Sequence, residues 1–218
     1  MKAPESLSLA PDLPLKFVGG DPCLDFVNTV DWTPAGLVNE RLVDYRRLLE
    51  WGERAGVVDR FERVRLARVA RGRPDQEGKA YALARWGRWV LQRLLTSMAG
   101  GRLSPSALEL FNALAHRASA GLSLARADGA AGTLAWRAST SDDLDLVLWK
   151  IVRTAERLVT SADVSRLRVC GGPDCGWLYV DRSRNGLRRW CEMRTCGTQA
   201  KSFRRTARRR AAVDATAD

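Results

Sequence analysis

The sequence has very little of the residue that most often performs acid–base chemistry. Among its 218 residues there is one histidine, His116. It also lacks a Gly-rich phosphate loop, an H-E-x-x-H motif and a Ser/His/Asp set. Histidine is the commonest general base of enzymes, so this shortage removes the usual acid–base group; chemistry by Asp, Glu or Lys stays open, but no motif indicates it. We therefore expect a protein that is not an enzyme.

Long apolar stretches are missing as well. No run approaches the ~18 consecutive apolar residues that indicate a membrane span. Residues 1–16 lack the basic and then apolar pattern of a secretory signal, and their prolines predict a flexible leader. Hydrophobic residues make up 45% and charged residues 28%, which is typical of a globular protein. These features predict a cytoplasmic protein with no membrane partner.

Lysine is scarce, yet the chain is strongly basic. Five lysines and 31 arginines face 25 acidic residues, so the formal net charge is +11. A GC-rich genome could explain arginine in place of lysine, but it does not explain where the surplus lies. Residues 166–210 hold 13 cations and three anions, a net charge of +10. Such a concentration predicts a segment that binds a polyanion such as nucleic acid.

Four of the five cysteines form two close pairs. Cys170, Cys175, Cys191 and Cys196 have the spacing C-x4-C-x15-C-x4-C, whereas Cys23 stands alone and is expected in the core. Two turns that each present two thiolates suit a tetrahedral zinc ion. An iron–sulfur cluster and four unrelated buried thiols are the alternatives. Four thiolates would complete the coordination sphere, so we expect one structural Zn²⁺.

Apolar periodicity and turn residues predict a mainly α fold, more fully an α+β fold with one β-hairpin. The helical domain should span residues 17–162. The helices are expected at 22–30, from an Asn39 cap to Gly56, at 59–71, at 79–99, from Ser104 onward, and from a Ser141 cap to about 161. The hairpin is expected where residues 122–125 and 133–136 flank a Gly-rich turn.

The zinc module should span residues 166–210, followed by a disordered tail over 211–218. Two short strands around Gly171-Gly172-Pro173-Asp174 and a helix from about Cys196 predict a small treble-clef-like unit. Lysine and arginine at helical spacing give that helix one basic face. The candidate nucleic-acid contacts are Arg182, Arg184, Arg188, Arg189, Lys201, Arg204, Arg205, Arg208 and Arg209. Arg188 could instead offset the charge of the thiolates.

The cysteine module resembles the CGNR zinc-finger family of bacterial transcription regulators. The matching stretches are Cys170-x4-Cys175-Gly176-Trp177-Leu178, Asp181-x-Ser183-Arg184-Asn185, Arg188-Arg189-Trp190-Cys191-x-Met193 and Cys196-Gly197-x-x-Ala200-Lys201. The N-terminal part is similar to the ABATE domain that accompanies this finger, in Phe17-x-Gly19-Gly20, in Leu24 to Thr29 and in the helix ending at Trp51. Thr198-Gln199 stands where the family name gives Asn and Arg.

The resemblance implies a regulator that binds double-stranded DNA at the nucleoid through its zinc module. The helical domain would then serve as a sensor or oligomerisation domain, with a homodimer and a small-molecule effector as further expected partners. Asp25, Asn28, Thr29 and Arg41 are the candidate ligand contacts, although helix capping and a buried hydrogen-bond network would also use them. The alternative function is a zinc-stabilised module that binds protein or RNA.

Overall fold

A computed structural model describes residues 8–34, 36–127, 132–140, 142–203 and 205–206. Among these residues, six α-helices precede the cysteine module: α1 Pro22–Val27, α2 Tyr45–Arg54, α3 Arg60–Arg71, α4 Pro74–Ala99, α5 Pro105–Gly121 and α6 Leu146–Val159. A 3₁₀ turn, Ala162–Arg166, leads into the module. Within the described ranges, no helix combines the length and the apolar character that a membrane crossing requires.

Three antiparallel strand pairs accompany the helices in the described part of the chain. They are β1 Asp31–Thr33 with β2 Gly36–Val38, β3 Leu122–Arg126 with β4 Leu134–Ala138, and β5 Leu167–Val169 with β6 Leu178–Val180. The predicted fold class is confirmed, since the structure is mainly helical and carries the expected β3–β4 hairpin. The β1–β2 pair was not expected from the sequence.

Side-chain caps determine where several helices begin. The carboxylates of Asp21, Asp44 and Asp59 each accept a hydrogen bond from a main-chain NH in the first turn of α1, α2 and α3. Ser104 caps α5 as expected. The expected cap at Asn39 is wrong, because Asn39 follows β2 with φ +47° and its side chain bonds Asp31 instead. The expected cap at Ser141 lies outside the described residues.

The long helix α4 is the centre of the fold. It packs against α1, α2, α3, α5, α6 and also β5, while α1 contacts both α6 and β6. The buried apolar residues form one cluster that runs from Leu15 to Cys196. The strands of the cysteine module therefore lie against the same central helices as the rest of the core.

The described part of the leader, residues 8–16, is attached to the helical domain. Main-chain bonds join Glu40 to Ser8 and to Ala10 at 2.8 and 2.9 Å. Leu15 is buried, and Lys16 forms an ion pair with Glu192 of the cysteine module. The leader thus passes over both parts of the chain.

Candidate metal centre and nucleic-acid interface

The four paired cysteines lie together in space. Cys170 follows β5, Cys175 precedes β6, and Cys191 and Cys196 stand at the start of the last helical segment. Their sulfur atoms all lie within 4.8 Å of one another. A zinc ion with sulfurs about 2.3 Å away at tetrahedral corners separates them by about 3.8 Å. The Sγ–Sγ distances of 3.8 Å for Cys175–Cys191 and 3.6 Å for Cys191–Cys196 fit one structural zinc.

The surroundings of Cys170 favour its thiolate, the form that binds zinc. Thiol groups of Cys175 and then Cys191 hydrogen-bond to its sulfur and hold the pKa of Cys170 well below its usual range. The main-chain NH groups of Gly172 and Cys191 also donate to this sulfur, at 3.4 and 3.2 Å. These NH donors would stabilise a zinc-bound thiolate in the same way.

The metal-bearing segments have the predicted treble-clef-like order. The β5–β6 hairpin supplies the first cysteine pair at its turn. A π-helical turn, Met193–Gly197, carries Cys196 and continues into the C-terminal helix over 198–203 and 205–206. Short modules have little core of their own, so the metal stabilises the arrangement directly.

Asn28 joins the helical domain to strand β6. Its Nδ2 donates to the carbonyl of Leu178 at 2.8 Å, and its Oδ1 accepts from the NH of Leu178 at 2.9 Å. The residue is 1% exposed. Asn28 therefore replaces a missing neighbouring strand for β6, and both polar ends of its amide are in use.

Further bonds continue this contact between the two parts of the chain. The NH of Gly176 donates to the carbonyl of Trp32 at 2.7 Å, and the Trp177 indole donates to the carbonyl of Val30 at 3.1 Å. A Cβ at position 176 would lie 2.9 Å from Trp32 Cβ, so only glycine fits there. The motif residues Gly176 and Trp177 thus serve the contact with the helical domain.

Arg188 is a structural residue in this arrangement. Its guanidinium donates to the carbonyls of Val18 and Trp190, each at 2.9 Å, and also to that of Cys191. It lies 4.2 Å from the ring centre of Tyr179. These contacts occupy its charged group, although the sequence analysis also named Arg188 as a candidate DNA contact.

Asp25 and Thr29, two of the predicted ligand contacts, take part in buried networks. Asp25 accepts a hydrogen bond from the NH of Gly19 at 2.7 Å, and burial raises the pKa of its carboxyl to about 6. Thr29 accepts from Arg88 at 2.7 Å, and Arg88 forms a buried ion pair with Glu40. Sequence reasoning missed Glu40 and Arg88, since no motif connects two residues 48 positions apart.

Arg41, the last predicted ligand contact, borders a cleft beside the metal centre. It pairs with Asp31 at 2.8 Å and lies 5.1 Å from the ring centre of Trp177. The cleft lies between the helical domain and the turn that follows Cys170, and its volume of about 370 Å³ includes part of the metal centre, since Cys175, Cys191 and Cys196 line it. Lys16, Trp32, Gln199 and Phe203 are among its other lining residues.

The predicted basic contacts differ in exposure and in whether an acidic or aromatic side chain already contacts them. Arg184, Lys201 and Arg205 are exposed, and none forms an ion pair with another described residue. Arg182 pairs with Asp163 at 3.0 Å, and Arg189 lies over the Trp190 ring. Arg204, Arg208 and Arg209 lie outside the described residues. Arg194 was not predicted as a contact; it is exposed in the π-helical turn rather than on the predicted basic helix.

Comparison with known families divides the chain close to the predicted limits. The model of the CGNR zinc finger matches residues 166–210. The model of the ABATE domain, described as a putative stress-induced transcription regulator, matches residues 20–162. No curated protein sequence matches the chain.

Proposed function

Because this chain belongs to the ABATE family of transcription regulators and carries a CGNR zinc finger, we propose that it regulates transcription by binding double-stranded DNA. The zinc module would be the DNA-contacting part. We further propose that the protein acts in the cytoplasm, at the nucleoid, and catalyses no reaction.

The observation that carries this proposal is the charge of the zinc module. Residues 166–210 have a net charge of +10, and the exposed cations Arg184, Lys201 and Arg205 have no acidic partner among the described residues. Unpaired cations can displace the counterions that surround DNA, which is the main source of affinity for a duplex. Lys201 and Arg205 stand four positions apart on a helix, so they share one face.

Charge reversal tests the DNA proposal directly. We expect Lys201→Glu combined with Arg205→Glu to weaken binding to a duplex by at least tenfold. The plot of log K against log salt should become shallower, with the magnitude of its slope lower by about two, because two phosphate contacts are lost. The measurement is fluorescence anisotropy with a labelled duplex at two salt concentrations.

The matched control reverses two exposed cations of the helical domain, Lys79→Glu with Arg60→Glu. It changes the net charge equally and should leave the slope nearly unchanged. If the two double variants weakened binding equally, net charge and not the position of the cations would explain the loss. If the intact protein with one bound zinc shows no salt-sensitive duplex binding, the alternative of a protein- or RNA-binding module takes its place.

A second proposed function is the sensing of a small molecule by the helical domain. The cleft beside the metal centre favours it, since residues from the leader, the helical domain and the zinc module meet there. A ligand in that cleft would contact both parts at once. Its binding free energy could then influence how the zinc module meets DNA.

A thermal-shift screen with small metabolites tests the sensor proposal. We expect an active compound to raise the unfolding temperature of the wild-type protein. The same compound should lose its effect on Gln199→Trp, in which a large side chain fills the cleft. Asn112→Trp places the same ring on an exposed part of α5, outside the lining of this cleft, and should keep the effect. A shift retained in Gln199→Trp would place the ligand elsewhere.

A further inference from the structure

The loop between β6 and Cys191 is held in one conformation. The buried carboxylate of Asp181 accepts hydrogen bonds from the NH and the hydroxyl of Ser183, at 2.9 and 2.6 Å, and from the NH of Arg188 at 3.0 Å. Gly186 adopts φ +62°, a conformation that suits glycine. Residues 182–187 therefore form a preorganised projection, and a partner would gain contacts without first ordering the loop.

Apolar side chains are exposed where this loop ends. Leu187 is 75% exposed and Met193 is 50% exposed. Together with Trp190 they line one shallow depression on the surface of the zinc module. A single exposed leucine is ordinary, but three large apolar side chains around one depression indicate a contact surface.

Arginines surround the apolar side chains. Arg184 lies within the loop and has no ion pair with any described residue. Arg189 lines the depression itself, and Arg194 follows Met193 in an exposed position. The acidic residue of the depression, Glu192, is paired with Lys16. The depression is thus lined by apolar side chains and arginine, and two further exposed arginines, Arg184 and Arg194, lie close to it in the sequence.

We propose that residues 182–187 are a second DNA-contacting element, which enters the minor groove. This inference rests on the proposed DNA-binding function. A minor groove about 6 Å wide excludes a helix but admits a narrow loop. Minor-groove proteins commonly place arginine in the groove beside an apolar side chain that contacts sugars and base steps.

Leu187 and Arg184 have separate roles in this proposal. Leu187 provides apolar contact with sugars or base edges, which releases no counterions. Arg184 provides charge, and the narrow minor groove of A·T-rich DNA concentrates negative potential. The exposed arginines favour a polyanion such as DNA over an uncharged protein surface.

Two single variants test the loop. We expect Leu187→Ala to weaken binding to an A·T-rich duplex severalfold without changing the salt slope. Arg184→Ala should lower the magnitude of the salt slope by about one, because one cation near the phosphates is lost. Netropsin, which occupies the minor groove, should compete with the wild-type protein. Anisotropy measurements over a range of salt concentrations give all three results.

The matched controls are Leu103→Ala and Arg102→Ala, two exposed neighbours in the turn between α4 and α5. They should leave both affinity and slope unchanged. If the wild-type protein binds no duplex, the DNA-binding proposal fails and the loop inference fails with it. If the wild-type protein binds, but the loop variants match the controls or netropsin has no effect, the loop inference alone is wrong.

Discussion

At the scale of single residues, Asn28 connects positions 150 apart in the chain. Its amide makes a donor and an acceptor bond with Leu178 inside the protein. A hydrophobic side chain of similar size would leave the NH and the carbonyl of Leu178 without partners. Buried main-chain groups without partners are costly, so this asparagine stabilises the contact more strongly than its size suggests.

We predict that Asn28→Ala lowers the free energy of unfolding by about 3 kcal/mol, because two buried polar groups lose their partners. Urea denaturation followed by far-UV circular dichroism measures the change. Asn112→Ala, at an exposed position of α5, is the matched control and should change stability by less than ~0.5 kcal/mol. Equal stability of the two variants would show that the Leu178 contact contributes little.

The sequence predicted the ligands of the metal centre, but it did not predict the partners in the buried hydrogen-bond networks. The two cysteine pairs at equal spacing were enough to predict the zinc ligands. The stretch containing Asp25, Asn28 and Thr29 was recognised as unusual, but its partners were not predictable. Gly19, Leu178 and Arg88 are reached only through the tertiary fold. The proposed role of these polar residues in ligand binding stays a prediction.

At the scale of elements, apolar stripes and caps predicted most helices. The apolar stripe of α4 and the Ser104-Pro105 start of α5 are clear in the sequence, whereas α4 begins at Pro74, five residues before the predicted start, without a side-chain cap. The β1–β2 pair was missed, since three-residue strands carry too few positions to show alternation. Helix α6 begins at Leu146, later than expected, after the local turn at Asp143.

The zinc module shows how an element can be predicted while its environment is not. The sequence indicated two strands and a helix around four cysteines, and the structure contains them. Strand β6 is buried on all three residues, however, because α1 lies beside it. Strands this short can form in an isolated module or within a larger core, and their sequence does not distinguish the two.

At the scale of the whole molecule, the zinc module and the helical domain share one hydrophobic core. Leu167, Leu178 and Val180 of the module belong to the same buried cluster as α1 and α4. Isolated zinc modules gain on the order of 10 kcal/mol from metal binding. Because the core is continuous, part of this free energy should also stabilise the helices.

We predict that Cys175→Ser, which removes one zinc ligand, destabilises the entire described core rather than the module alone. The circular dichroism signal at 222 nm and the tryptophan fluorescence should change in one coincident thermal transition. Its midpoint should lie several degrees below that of the wild-type protein. Cys23→Ser is unsuitable as a control because Cys23 is buried, so Ser165→Ala, in an exposed position before β5, serves instead.

The outcome separates two views of the chain. A helical transition that stays at the wild-type temperature, with an early separate loss of the zinc module, would show two independent folding units. Coincident transitions would show a single unit, and zinc content measured on the same samples would confirm that the metal was released.

The glycine at position 176 also has an evolutionary and practical consequence. It lets the chain after Cys175 lie directly on Trp32, with no space for any side chain. A zinc finger with this surface is not suited to transfer into another protein without the residues that pack against it. Grafted onto another protein, it would expose β6 and Trp177 to water. A functional transplant would have to carry residues 15–41 and helix α4, which packs on β5, so recombination between relatives should exchange the module and the helical domain together.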